Sequence, residues 1–141
     1  MLITETTVRV RYIETDQMGV VYHGHYFQYY EAARAEFIRQ LGMSYADVEK
    51  LGIIMPVIDV HSKYYRPALY DELLTIKVIL KEMPLHHKIE FQHEVYNEQK
   101  QLLNTGRVVL YFMEAKTMKK VAIPDVLKTK LEPYFIQPNN T

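Results

Sequence analysis

Residues 12–41 read YIETDQMGVVYHGHYFQYYEAARAEFIRQL, and this stretch decides the fold. From about Gly24 to Leu41 the spacing is helical: Tyr26, Tyr30, Ala33, Phe37 and Leu41 fall near one face, with Phe27 and Ile38 beside them. Gly42 is a natural stop, because a residue without Cβ takes the left-handed conformation that closes a helix. An apolar arc this wide predicts a helix at the packing centre of the molecule rather than on its surface.

On either side the pattern changes. Upstream, Val8, Val10 and Tyr12 alternate with Arg9 and Arg11, which predicts a short half-buried strand ending in the turn TDQMG. Downstream, Ser44 caps a short second helix, SYADVEKLG, that ends at Gly52. The period then becomes two. IMPVIDVHSKYYR reads as one strand, and ELLTIKVIL as another with Leu74, Ile76, Val78 and Leu80 on one face. HKIEFQHEVYN sets Ile89, Phe91, His93 and Val95 against Lys88, Glu90, Gln92 and Glu94. GRVVLYFMEA is apolar on both faces and suits a central or interface strand. Asn97 to Lys100 and Ala115 to Lys119 read as hairpin turns, KKVAIP as a last short strand, and Pro124 as the opening of a terminal helix.

Strands joined by short turns pair antiparallel, so the order of elements predicts an α+β fold, a curved sheet around the long helix. No repeat, low-complexity tract or linker divides residues 1–141, which are expected to form a single domain. A sheet wrapped on one helix keeps an open edge and an outer face, so self-association is expected.

Composition narrows the function. Apolar residues make up 48% and charged residues 24%, an ordinary globular balance. Lys plus Arg equals Asp plus Glu at 17 each, so no global field attracts nucleic acid or an acidic membrane, and an anionic ligand needs a local basic cluster. The absence of cysteine removes disulfides, thiolate catalysis and Cys-based zinc sites. The N-terminus MLITETTVRV does not read as a signal peptide, and no segment approaches the ~20 apolar residues of a membrane span. A cytoplasmic address is expected.

Asp16 has two readings. As an Asx-turn residue it accepts backbone N–H bonds and fixes the turn. As a reagent it lies after a strand and before the N-terminus of a buried helix, where a dry cleft would hold it near unpaired N–H groups. The N–H groups of His23 and Gly24 suit a developing oxyanion at an ester or thioester carbonyl, and Gly24 would let a ligand approach the backbone. Acyl transfer is the chemistry these parts supply.

His23 and His25, two apart, invite a metal reading, but no further ligands stand at a recognisable spacing, and no metal is expected. Glu31 and Arg34 are spaced to pair on the helix. Tyr26 and Tyr64 are candidate pocket residues. His86, His87 and Lys88 read as a solvated hairpin end or as a cluster able to meet phosphate. No GxGxxG, phosphate loop or GxSxG is present.

RYIETDQMGVVYHGHYFQYYEAARAEF resembles the opening motif of hotdog-fold acyl-CoA thioesterases of the 4-hydroxybenzoyl-CoA thioesterase type, in particular the YbgC-like branch. YYRPALYDELL, from Tyr64 to Leu74, resembles that family's strand–turn–strand segment. The resemblance implies a five- or six-stranded antiparallel sheet wrapped around the long helix, and dimers formed through the sheet, some pairing into tetramers. It also implies an active site at the dimer interface. It assigns the catalytic carboxylate to Asp16 and the carbonyl-polarising helix start to His23. Leu85-His86-His87-Lys88 departs from the Gly-Ser or Gly-Thr of many relatives.

The expected reaction is hydrolysis of an acyl-CoA thioester without metal or cofactor, since a thiolate is a fair leaving group. The CoA phosphates are expected near Lys63, Arg66 and the His86–Lys88 cluster. A non-catalytic module binding acyl-CoA or acyl carrier protein is the alternative. Hydratase chemistry on the same fold would need a His and carboxylate arrangement that is not found.

Overall fold

A computed structural model describes residues 1–136. At its centre is α1 (Tyr26–Gln40), which buries Tyr26, Tyr29, Tyr30, Ala33, Arg34, Phe37 and Ile38. Around α1 curves a five-stranded antiparallel sheet made of β1 (Leu2–Arg9), β3 (Val57–Tyr64), β4 (Leu73–Leu80), β5 (Lys88–Tyr96) and β6 (Leu102–Tyr111), in the order β1-β4-β5-β6-β3. A two-stranded ribbon of β2 (Ile53–Ile54) and β7 (Met113–Glu114), the short helix α2 (Tyr45–Lys50) and a terminal α3 (Asp125–Leu131) complete it. Among the described residues no helix is long and apolar enough to cross a membrane.

The alternation legible in the sequence decides which face of the sheet meets α1. Leu74, Ile76, Val78 and Leu80 of β4 and Ile89, Phe91, His93 and Val95 of β5 are all buried. Phe37 meets Phe91 edge-on at 5.2 Å. Tyr30 presses closest to the sheet: a Cβ at Gly106 of β6 would overlap its ring, so only glycine fits there. The Tyr30 hydroxyl contacts Ser62 Oγ at 2.8 Å and donates to Asn104, while its ring stacks on His93 at 4.5 Å.

Several expectations are corrected. The first strand is Leu2–Arg9, paired with β4 from Leu2↔Leu80 to Arg9↔Leu73. Its Thr-rich face is only half covered, which hid the alternation. Residues 12–14 form a 3-10 turn instead, bent by a Glu14 carboxylate that accepts the Arg11 N–H at 2.9 Å. IMPVIDVHSKYYR splits around Pro56, which has no N–H to give a ladder, and Ile53–Ile54 pairs with Met113–Glu114. KKVAIP contributes only an isolated bridge, Lys120 to Met113. Glu31 and Arg34 do not pair: Glu31 is exposed, and Arg34 turns inward to 4% exposure. Burial pushes the Arg34 guanidinium pKa down, opposed by Tyr45.

Candidate active site

The loop between the Tyr12–Glu14 turn and the helix start is a miniature hairpin. Thr15 bridges Val21, the Asp16 N–H donates to Val20 O at 2.8 Å, and Gly19 turns the chain at φ 79°. Asp16 Oδ1 accepts the Met18 N–H at 2.8 Å and the Val20 N–H at 3.4 Å. The Asx-turn is therefore real, and it occupies one oxygen. Oδ2 has no hydrogen-bond donor among the described residues. The side chain is exposed, so the expected dry cleft is not formed by the described residues of a single chain.

Residues 23–25 enter the helix as a 3-10 turn with no side-chain cap. The His25 N–H bonds Tyr22 O at 2.9 Å, whereas the N–H groups of His23 and Gly24 meet no acceptor among the described residues. They are the orphan donors of a helix start. The Tyr64 hydroxyl donates to His23 O at 2.7 Å and anchors this turn to the end of β3. The open side expected at Gly24 is partly filled, since a Cβ there would come within 2.8 Å of the Tyr22 ring.

Asp16, Val20, His23, Tyr26, Tyr64 and Arg66 line one open cleft of about 360 Å³. Tyr26 forms its floor, 2% exposed, with its phenol pushed up to about 12 by burial. Its ring meets Tyr64 edge-on at 5.2 Å. Lys63 stands beside the cleft with its ammonium 5.4 Å from the centre of the Tyr65 ring.

His86, His87 and Lys88 are elsewhere. His86 and Lys88 line a different cavity with Met83 and Glu90. The His87 ring meets Tyr111 edge-on at 4.9 Å, and the Lys120 ammonium lies 4.9 Å from the centre of that same ring. Lys88 pairs with Tyr111, whose N–H bonds Pro56 O, so this basic corner adjoins the Val57 end of β3. The Asp16 cleft adjoins the Tyr64 end, roughly 23 Å away at about 3.3 Å per residue. One chain brings together Asp16, His23, Tyr26, Tyr64 and Arg66 in the cleft, with Gly24 next to His23 but outside the lining, and leaves the His86–Lys88 cluster apart.

One group beside the cleft escaped sequence reasoning. Glu14, 4% exposed, accepts hydrogen bonds from Arg11 N–H (2.9 Å) and the Tyr29 hydroxyl (2.8 Å) on Oε1. Its Oε2 accepts from Arg11 Nε at 3.0 Å, and His25 Nε2 lies 3.2 Å from the same oxygen. Burial alone would raise its pKa. The Arg11 N–H, the Tyr29 hydroxyl, the Arg11 guanidinium and His25 outweigh that and hold it below the ordinary carboxylate value. The Arg11-x-x-Glu14 spacing was the only local signal.

Residues 10–131 match a family model described as the thioesterase-like superfamily. The acyl-CoA thioester hydrolase YbgC of Escherichia coli O6:H1 is 32% identical over 117 residues, 83% of this chain and 87% of that one. A DHNA-CoA thioesterase from Staphylococcus aureus superposes with a TM-score of 0.85 at 33% identity, covering 98% of each chain. A 1,4-dihydroxy-2-naphthoyl-CoA thioesterase from Synechocystis, at TM-score 0.86 and 18% identity, shares the fold over 96% of this chain and 99% of that one.

Proposed function

The chain belongs to the thioesterase-like superfamily, and from that premise we propose that it is an acyl-CoA thioesterase working with one carboxylate and one helix end. The observation that carries the reading is the meeting, in one cleft, of Asp16 and His23, a carboxylate with one oxygen and a helix start with N–H groups that have no partner among the described residues. A thioester carbonyl set between them has its developing oxyanion held by the His23 and Gly24 N–H groups. Asp16 Oδ2 takes a proton from a water molecule that adds to the carbonyl carbon. The tetrahedral adduct then collapses, expelling the CoA thiolate, and the proton passes on to the sulfur. The carboxylate is steered by the two N–H bonds on Oδ1, which leave Oδ2 as the base. Direct attack by Asp16 would instead pass through an acyl anhydride, and single-turnover hydrolysis in ¹⁸O water distinguishes the two by labelling the Asp16 carboxylate.

We further propose that the site is completed by a second copy. β3 is an edge strand exposing Val57 and Ile58 at 46% and 44%. Antiparallel pairing of two such edges sets the Val57 end of one against the Tyr64 end of the other. The partner's His87 and Lys88 then come beside this chain's cleft, where CoA phosphates need cations, and the partner covers Asp16. Both halves of the sequence-based site belong to one pocket in that arrangement.

Thiol release from short, long and aromatic acyl-CoAs tests the chemistry. Asp16→Asn keeps the Oδ1 acceptor and hence the turn, so it should lower kcat by about 10²–10⁴-fold with the fold unchanged. Near-normal turnover in that variant would sink the assignment. No release from any ester by the unaltered protein would favour the binding module instead.

A further inference from the structure

Glu14 is the only buried carboxylate among the described residues, and no step of the hydrolysis uses it. We propose that Glu14 is the positioning residue of this site, clamping the loop that carries Asp16 to the helix start that carries His23 and Gly24. The inference rests on the acyl-CoA thioesterase reading above.

The geometry shows why one side chain can do this. Glu14 stands two residues before Asp16, and His25 two residues after His23, so the two reacting positions hang from the two sides of a single contact. The backbone repeats the link, with the Tyr22 N–H donating to Glu14 O at 2.9 Å. Three segments meet on the carboxylate: Arg11 before it and Tyr29 of α1 donate hydrogen bonds, and His25 of the 3-10 entry lies 3.2 Å from Oε2. Three hydrogen bonds and the His25 contact hold both carboxylate oxygens, so the group is fixed in one position. Gln has the same shape but would turn an N–H₂ towards at least one donor, and the clamp would open on that side. An opening of about 1 Å between base and oxyanion donors is enough to cost roughly 10²-fold in rate.

A purely structural role would lower stability without changing turnover per folded molecule, and the test separates the two. Glu14→Gln, Asp16→Asn and the double variant are assayed in the full-length protein on the acyl-CoA that the unaltered protein hydrolyses fastest. Amide hydrogen exchange is followed alongside. Glu14→Gln should lower kcat about 10- to 100-fold with KM changed less than about threefold. Exchange of the amides of residues 15–25 should speed up while β5 and β6 stay protected. If Glu14 acts through Asp16, adding Glu14→Gln to Asp16→Asn should cost less than about threefold more.

Tyr29→Phe, which removes one donor and keeps the ring, should show a smaller loss with the same exchange pattern. It serves if the Gln variant fails to fold. Unchanged exchange, kcat within about twofold of the unaltered protein, or an equal loss in the Asp16→Asn background would overturn the proposal. If the unaltered protein hydrolyses no acyl-CoA, the thioesterase reading fails by itself, and exchange alone then decides whether the clamp exists.

Discussion

His93 shows what a single residue inherits from its surroundings. It is 1% exposed, and neither ring nitrogen has a hydrogen-bond partner among the described residues. Burial first, and the Arg34 charge second, push its imidazole down from 6.5 to about 3. The folded protein therefore keeps His93 neutral while the unfolded chain takes up a proton below about pH 6.5, which favours unfolding as pH falls. Its effect is absent above that pH and grows between pH 6.5 and about 3, at up to about 1.4 kcal/mol per unit. His93→Leu should flatten that limb, read as the pH dependence of the difference in urea-unfolding free energy between variant and unaltered protein. Glu14 acts in a lower window. Its folded pKa is depressed, so its stabilisation is complete above the ordinary value of 4.5 and is lost as pH falls through the folded value. A sequence shows that His93 lies on the apolar face of its strand, but not that Arg34 shares the same interior.

At the scale of elements, the contact of α1 with β6 is the most constrained. Tyr30 lies flat where Gly106 leaves no side chain, and its hydroxyl is tied to Ser62 and Asn104. Gly106→Ala should overpack this contact and cost about 1–3 kcal/mol, measured by chemical denaturation. Tyr30→Phe should recover it only in part, because the ring carbons Cζ and Cε2 meet the added methyl as well as the hydroxyl. Most elements were legible because burial on one side imposes a period: 3.6 along α1, two along β4 and β5. Legibility failed where that condition lapsed. β1 is a Thr-rich edge strand, and the isoleucines before Pro56 belong to a separate ribbon.

At the scale of the molecule, the decisive feature is an unpaired edge beside an exposed Asp16. If β3 joins two copies, Ile58→Lys should shift the protein to monomer in light scattering and lower turnover per chain at least about tenfold. A Lys on an edge strand opposes pairing. A monomeric variant with full activity would show the cleft to be complete in one chain and remove the proposed role of the partner's His87 and Lys88.

The sequence by itself determined the central helix, the alternating strands around it, and the placement of Asp16 just ahead of an uncapped helix start. Each depends on neighbours close along the chain, on residue spacing and turn chemistry. The tertiary structure alone decided that Asp16 is exposed and that the His86–Lys88 corner lies at the far end of β3. It alone sealed Glu14 beneath His25 and Tyr29. Those outcomes depend on contacts between segments far apart in sequence, where burial and the meeting of charges are set by packing, and no local pattern encodes them.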